Sequence, residues 1–174
     1  MKTATLLAAF VLLACADASA QKTRAREPRF EDYPAVESFK GRPAPAVVSS
    51  GRARLYRTTI REQAREGPNF AGHYTVATWG CGTGCLQFAV VDARTGKVYF
   101  HPRAETVAGV TFQDEERLQF RRDSRLFIVS GQLLARDGPE LEGKFYYEWR
   151  NDRFRLLRRR RVVIDGPPGQ SEPL

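Results

Sequence analysis

Metal ligands are scarce in this chain. It holds three cysteines and two histidines. Cys15 falls in an N-terminal segment expected to be removed or lipid-modified, which leaves Cys81, Cys85, His73 and His101. Zinc usually takes four protein ligands, or three and a water. His73 lies at the far end of its expected strand from the cysteines, so no metal and no cofactor is expected. Also missing are a Gly-rich phosphate loop, a Walker motif, a zincin helix and a Gly-x-Ser-x-Gly elbow, and Ser130-Gly131 lacks the pattern that would precede a nucleophile. After Ala20 no apolar run approaches the roughly 20 residues that span a bilayer, so no transmembrane segment is expected.

What is present begins with "MKTATLLAAFVLLACADASA". Lys2 supplies a positive start, Ala4 to Ala14 is apolar apart from Thr5, and Ala18-Ser19-Ala20 offers small residues to a signal peptidase. Residues 1–20 are expected to be a signal peptide and the protein periplasmic or secreted. The alternative uses Leu12-Leu13-Ala14-Cys15 as a lipobox, with a lipid anchor at Cys15. Residues 21–174 are then a usual size for one domain.

Arginine outnumbers lysine 23 to 5, and the net charge is +8. Such a chain is drawn to anionic material, here an anionic envelope polymer or another envelope protein, although the same excess of arginine can reflect the coding bias of a GC-rich genome. Export argues against nucleic acid as the partner. The densest run is "RFRLLRRRRVV", with Arg155, Arg158, Arg159, Arg160 and Arg161. Strand alternation sends Arg158 and Arg160 to one face and Arg159 and Arg161 to the other. The run reads equally as a contact stripe for anions and as an edge strand protected by charge.

Residues 21–50 form a Pro-rich lead in which Phe30, Tyr33, Val36 and Phe39 can dock on the core. Residues 51–164 form a single β-rich domain and residues 165–174 a flexible tail. The helix signal lies between Arg52 and Glu66, where Tyr56, Ile60 and Ala64 make an apolar stripe and Gly67-Pro68 stops the helix. Thr59 with Glu62 suits a capping box for a shorter helix, and a start near Ser50 is equally readable. Arg57, Arg61 and Arg65 occupy the solvated face. Hairpins follow: one closed by Asp92 and Gly96, one turning around Arg122-Asp123-Ser124 through two or three residues, and one turning at Asn151-Asp152 that pairs Trp149 with Phe154, Glu148 with Arg155 and Tyr147 with Leu156. The fold class is mainly β (α+β): an antiparallel meander or small barrel-like sheet of about six or seven strands with one N-terminal helix.

Cys81 and Cys85 bracket Gly82-Thr83-Gly84. As ends of a three-residue hairpin loop they lie opposite each other, with Thr78 paired to Phe88, Val76 to Val90 and Tyr74 to Asp92. Both faces of that hairpin are apolar, so it is expected to be covered on both sides. A catalytic redox pair normally has two intervening residues at a helix N-terminus. A disulfide staple suits an exported chain better, and it fixes a tip whose backbone N–H groups can receive an anion or a side chain. His73 is expected to bond a backbone carbonyl and to lie on the opposite face from Asp92, which argues against a dyad. His101, before Pro102, is expected to be exposed.

The segments "FAGHYTVATWGCGTGC", "VVDARTGKVY" and "DSRLFIV" together resemble a group of small exported bacterial proteins, over roughly residues 69–129. The resemblance implies a periplasmic or envelope setting and supplies no catalytic residue. The expected function is a non-catalytic binding module, with His73, Trp79, Gly82, Thr83, Gly84 and the arginines of residues 155–161 as candidate contacts. The alternative is an enzyme, a hydrolase or a thiol-disulfide catalyst, using His73 or the Cys81/Cys85 pair.

Overall fold

A computed structural model describes residues 26–109, 116–136 and 138–161. The expected signal segment 1–20, Cys15 and the tail 165–174 lie outside the described residues. In chain order come a 3-10 turn (Phe30–Asp32), α1 (Gly51–Leu55), α2 (Arg57–Glu66) and eight strands: β1 (Tyr74–Gly80), β2 (Leu86–Asp92), β3 (Val98–Tyr99), β4 (Thr106–Ala108), β5 (Leu118–Phe120), β6 (Leu126–Leu134), β7 (Leu141–Arg150) and β8 (Arg153–Arg160). They form one open antiparallel sheet in the order β1-β2-β4-β6-β7-β8, with β3 on β2 and β5 on β6. The mainly β meander with a preceding helix is therefore the observed architecture.

Both predicted hairpin registers are observed. Thr78 faces Phe88, Val76 faces Val90 and Tyr74 faces Asp92. The last hairpin pairs Trp149 with Phe154, Glu148 with Arg155 and Tyr147 with Leu156 across Asn151 and Asp152, both left-handed at φ 52° and 58°, as a two-residue type I′ turn requires. Asp92 opens the β2–β3 turn, its carboxylate accepting from Arg94 N at 2.9 Å and Thr95 Oγ1 at 2.7 Å. The turn near Asp123 departs from expectation: Phe120 pairs with Phe127, leaving a longer connection that takes in residues 33–35 as partners. β4, which no turn signal marks, joins β2 to β6 and makes the sheet continuous.

The expected helix is broken at Tyr56 (φ −109°, ψ 23°), whose ring stacks on Trp79 at 4.4 Å. It starts after Ser50, and the Thr59–Glu62 capping box is not its start. Ile60 and Ala64 bury the stripe against Ala77, Ala89 and Val91 on the outer face of β1 and β2. The inner face holds the aromatic core: Phe70, Phe88, Phe127, Phe145, Tyr147 and Trp149. β1 is an edge strand, and two amides stand in for a neighbour. Gln63 bonds both Thr78 O (2.7 Å) and Thr78 N (2.9 Å), and Asn69 does the same for Val76. An edge satisfied in this way offers little to another chain.

Residues 26–50 are a strap. Phe30 and Tyr33 pack on Leu126, Ile128 and Tyr146 of the outer face, whereas Val36 is 82% exposed. The strap backbone bonds three turns in succession: Ala35 N to Asp123 O at 2.8 Å, Phe39 N to Gly72 O at 3.0 Å and Val47 N to Gly96 O at 2.7 Å.

Candidate functional site

Cys81 and Cys85 form a disulfide with their Cα atoms 5.5 Å apart. Gly82 (φ +125°) and Gly84 (φ +74°) take positive φ at the tip, and nothing lies within 4 Å of the space where a Gly82 Cβ would point. Residues 81–84 are exposed, so these glycines serve the turn rather than a close approach. A loop this short constrains the unfolded chain little. Reduction is expected to cost about 2 kcal/mol and to lower the melting temperature by several degrees without unfolding the domain. Thermal melts with and without reductant check this.

Trp79 lies below the tip on the helix-facing side. Its ring is stacked on Tyr56, and its Nε1 donates to Gln87 Oε1 at 2.9 Å. Gln87 passes the chain on to Thr106 Oγ1 at 3.0 Å. The indole is thus engaged in joining α2 to β1 and β2.

His73 corrects two expectations. Its Nε2 lies 3.9 Å from Asp92 Oδ1, so the two are neighbours rather than on opposite faces. Alternation fails here because His73 precedes β1, behind the left-handed Ala71 and Gly72, while the Asp92 carboxylate curls into its own turn. The expected bond to a backbone carbonyl is not made: Nδ1 is buried without a partner, and the ring lies tilted against that of Tyr74, centroids 4.1 Å apart. Burial, and then the charge of Arg94, lowers the His73 pKa, so the ring is neutral at pH 7.

His73 borders a cleft of about 470 Å³ with Val36, Tyr74, Arg125, Glu148 and Trp149. Arg125 and Glu148 are ion-paired, and Arg155 Nη1 approaches the other carboxylate oxygen at 3.9 Å. Beside the cleft Asp152 accepts from both Tyr74 Oη (2.5 Å) and Tyr99 Oη (2.7 Å). Burial pushes the Asp152 carboxyl up, but the two hydroxyls outweigh it and hold it below its ordinary value. Burial first, and then the bond to Asp152, raises both tyrosines well above theirs. Both phenols therefore keep their protons near neutrality, and the trio ties the β7–β8 turn to β1 and β3. Sequence reasoning saw Asp152 only as a turn residue, since nothing local announces a contact across so many residues.

His101 is buried, not exposed (5%). The chain turns inward after β3, and its Nδ1 accepts from Arg103 N at 3.1 Å and Ala104 N at 2.8 Å. The rings of Tyr147 and Phe154 lie with centroids 4.7 Å away.

The β8 arginines are largely occupied. A bulge opposite Tyr146/Tyr147 leaves Leu157 to pack with Leu126, Ile128 and Tyr146. Arg159 lies over the Phe145 ring and donates to Glu142 O at 3.0 Å. Arg160 pairs with Glu27 at 3.0 Å. Arg158 faces Tyr146, and Arg161 is exposed beyond the strand end. As an edge, β8 is guarded by charge.

Among the described residues no group of three His, Cys, Asp or Glu side chains is placed to hold a metal, and no helix is long and apolar enough to cross a membrane. Comparison with family models, curated proteins and solved structures finds no match to the chain.

Proposed function

We propose that this chain is an exported, non-catalytic binding domain of the bacterial envelope whose partner is an anionic polymer or the acidic face of another envelope protein. What carries the reading is an imbalance of surface charge. Glu27, Glu31, Asp32, Glu37, Glu105, Asp123 and Glu148 each hold an arginine. Arg42, Arg54, Arg61, Arg65, Arg153 and Arg161 have no acidic partner among the described residues. Surplus guanidinia that no internal carboxylate neutralises attract external oxyanions, and such attraction is screened by salt. Titration against anionic envelope polymers is expected to give binding that weakens steadily between about 50 and 500 mM salt. No salt-sensitive binding to any of them would sink the reading.

A second reading is favoured by His73 standing 3.9 Å from Asp92 beside a cleft of about 470 Å³: an enzyme using that histidine. It requires His73→Ala to abolish an activity while leaving thermal stability unchanged, whereas a packing role lowers stability.

A further inference from the structure

Between the strap and α2 runs a groove of about 500 Å³, with Arg42, Pro43 and Pro45 on one wall and Arg61, Ala64 and Arg65 on the other. Arg42, Arg61 and Arg65 are all exposed, and none has a hydrogen bond or ion pair to another described side chain. Arg61 and Arg65 are one helical turn apart, about 6 Å along α2, with Arg42 on the strap wall of the same groove. Glu62 and Glu66 follow them in the helix, turned about 100° away, and neither lines the groove.

The groove walls supply few other donors. Pro43 and Pro45 have no N–H, and Ala44 N already donates to Ala93 O at 2.8 Å. The Pro45 carbonyl is packed against Gly96, only 2.0 Å from where a Cβ would stand. The α2 backbone N–H groups at Ala64 and Arg65 are spent within the helix. A polypeptide laid here would bury its own N–H groups against walls of proline and alanine, whereas a phosphate chain carries oxygen acceptors along its length and needs only forked donors. On the reading that the chain binds anions, we propose that this groove, rather than the arginines of β8, seats a linear polymer of phosphate groups, with Arg42, Arg61 and Arg65 as its contacts.

The test uses the purified full chain and long-chain inorganic polyphosphate as probe, by calorimetry or fluorescence at fixed salt. Polyglutamate and phosphatidylglycerol vesicles run beside it. R42Q/R61Q/R65Q is expected to weaken polyphosphate binding by about tenfold or more, while R155Q/R159Q/R161Q, which removes the same charge from β8 and the residue after it, changes it about twofold. The conservative R42K/R61K/R65K keeps charge but loses the fork and is expected to fall between. Both sets of residues are on the surface, and a thermal melt of each of the three variants confirms folding. Equal losses from the groove and β8 sets would overturn the groove while leaving general anion binding intact. Binding of polyglutamate or vesicles without binding of polyphosphate would overturn the phosphate assignment alone. Binding of none of the probes would overturn both this and the broader reading.

Discussion

Gly96→Ala is expected to destabilise the domain by about 3 kcal/mol, and Gly72→Ala by a similar amount. Two costs combine at each position. Gly96 has φ +73° and Gly72 φ +83°, a region where an L side chain costs about 1–2 kcal/mol. A Cβ at Gly96 would stand 2.0 Å from Pro45 O, and one at Gly72 would stand 1.6 Å from Glu37 O. Both neighbours are backbone, so the strap must lift. Lifting breaks Val47 N to Gly96 O or Phe39 N to Gly72 O, each worth about 1 kcal/mol net. Gly82→Ala is the control, because its φ is also positive and its surroundings are empty; it is expected to show the conformational cost alone. Urea unfolding of the three variants measures the difference, and limited proteolysis within residues 26–50 reports whether the strap has come free. Equal losses at Gly82 and Gly96 would mean that the strap contributes nothing to stability.

These glycines also show where the sequence stops being legible. The hairpin around Cys81 and the one around Asn151 could be read to the residue because alternation, turn chemistry and cross-strand pairing agree at every position. Each of those signals is local. The sequence marks residues 21–50 only as a Pro-rich lead with docking aromatics, because the strap's hydrogen bonds go to turns far along the chain, with Ala35 bonded to Asp123 and Val47 to Gly96. The Asp123 loop departs from a tight hairpin for the same reason: part of its pairing is with the strap rather than with its own flanks. β4 had no signature because three residues held between β2 and β6 need no amphipathic pattern of their own.

The candidate site divides along the same line. The disulfide was readable from spacing. The β8 arginines were visible as a run, but their engagement with Glu27, Glu142 O and Phe145 was not. The three groove arginines, Arg42, Arg61 and Arg65, come from two segments that meet only in the fold, and in the sequence two of them read as an ordinary solvated helix face. His73 escaped the alternation rule because the rule applies inside a strand and His73 stands one residue before it.

His101 leads to the second large effect, an acid-sensitive stability. Its pKa is lowered from 6.5 to about 4 by burial, with the charge of Arg103 adding to it. Nδ1 accepts two backbone N–H groups, so the ring's proton is on Nε2, which is buried without a partner. A second proton would have to displace those two bonds and place a charge among Phe88, Tyr147 and Phe154. The unfolded chain has no such obstacle and binds a proton near pH 6.5. Between pH 6.5 and about 4 the unfolded state therefore holds more protons than the native state, and stability rises with pH. The contribution is complete above pH 6.5 and lost as pH falls toward 4, amounting to about 3 kcal/mol. His73, whose pKa is also lowered, acts in the same direction, so His73→Asn separates the two. Asp152 and Glu27 are held below their ordinary values of 3.8 and 4.5, and their losses come mainly at the acid end of this window and beyond it. In His101→Asn the amide oxygen can take the place of Nδ1 as acceptor, but nothing titrates. That variant is expected to be less stable at pH 7 through lost ring contacts, yet to have a much flatter profile from pH 6.5 to 4.5. Urea midpoints across that range test it, and a histidine titration followed by NMR should find the His101 ring uncharged at pH 5. A wild-type profile that is flat in this window, or a His101→Asn profile as steep as wild type, would show that the buried ring does not govern acid stability.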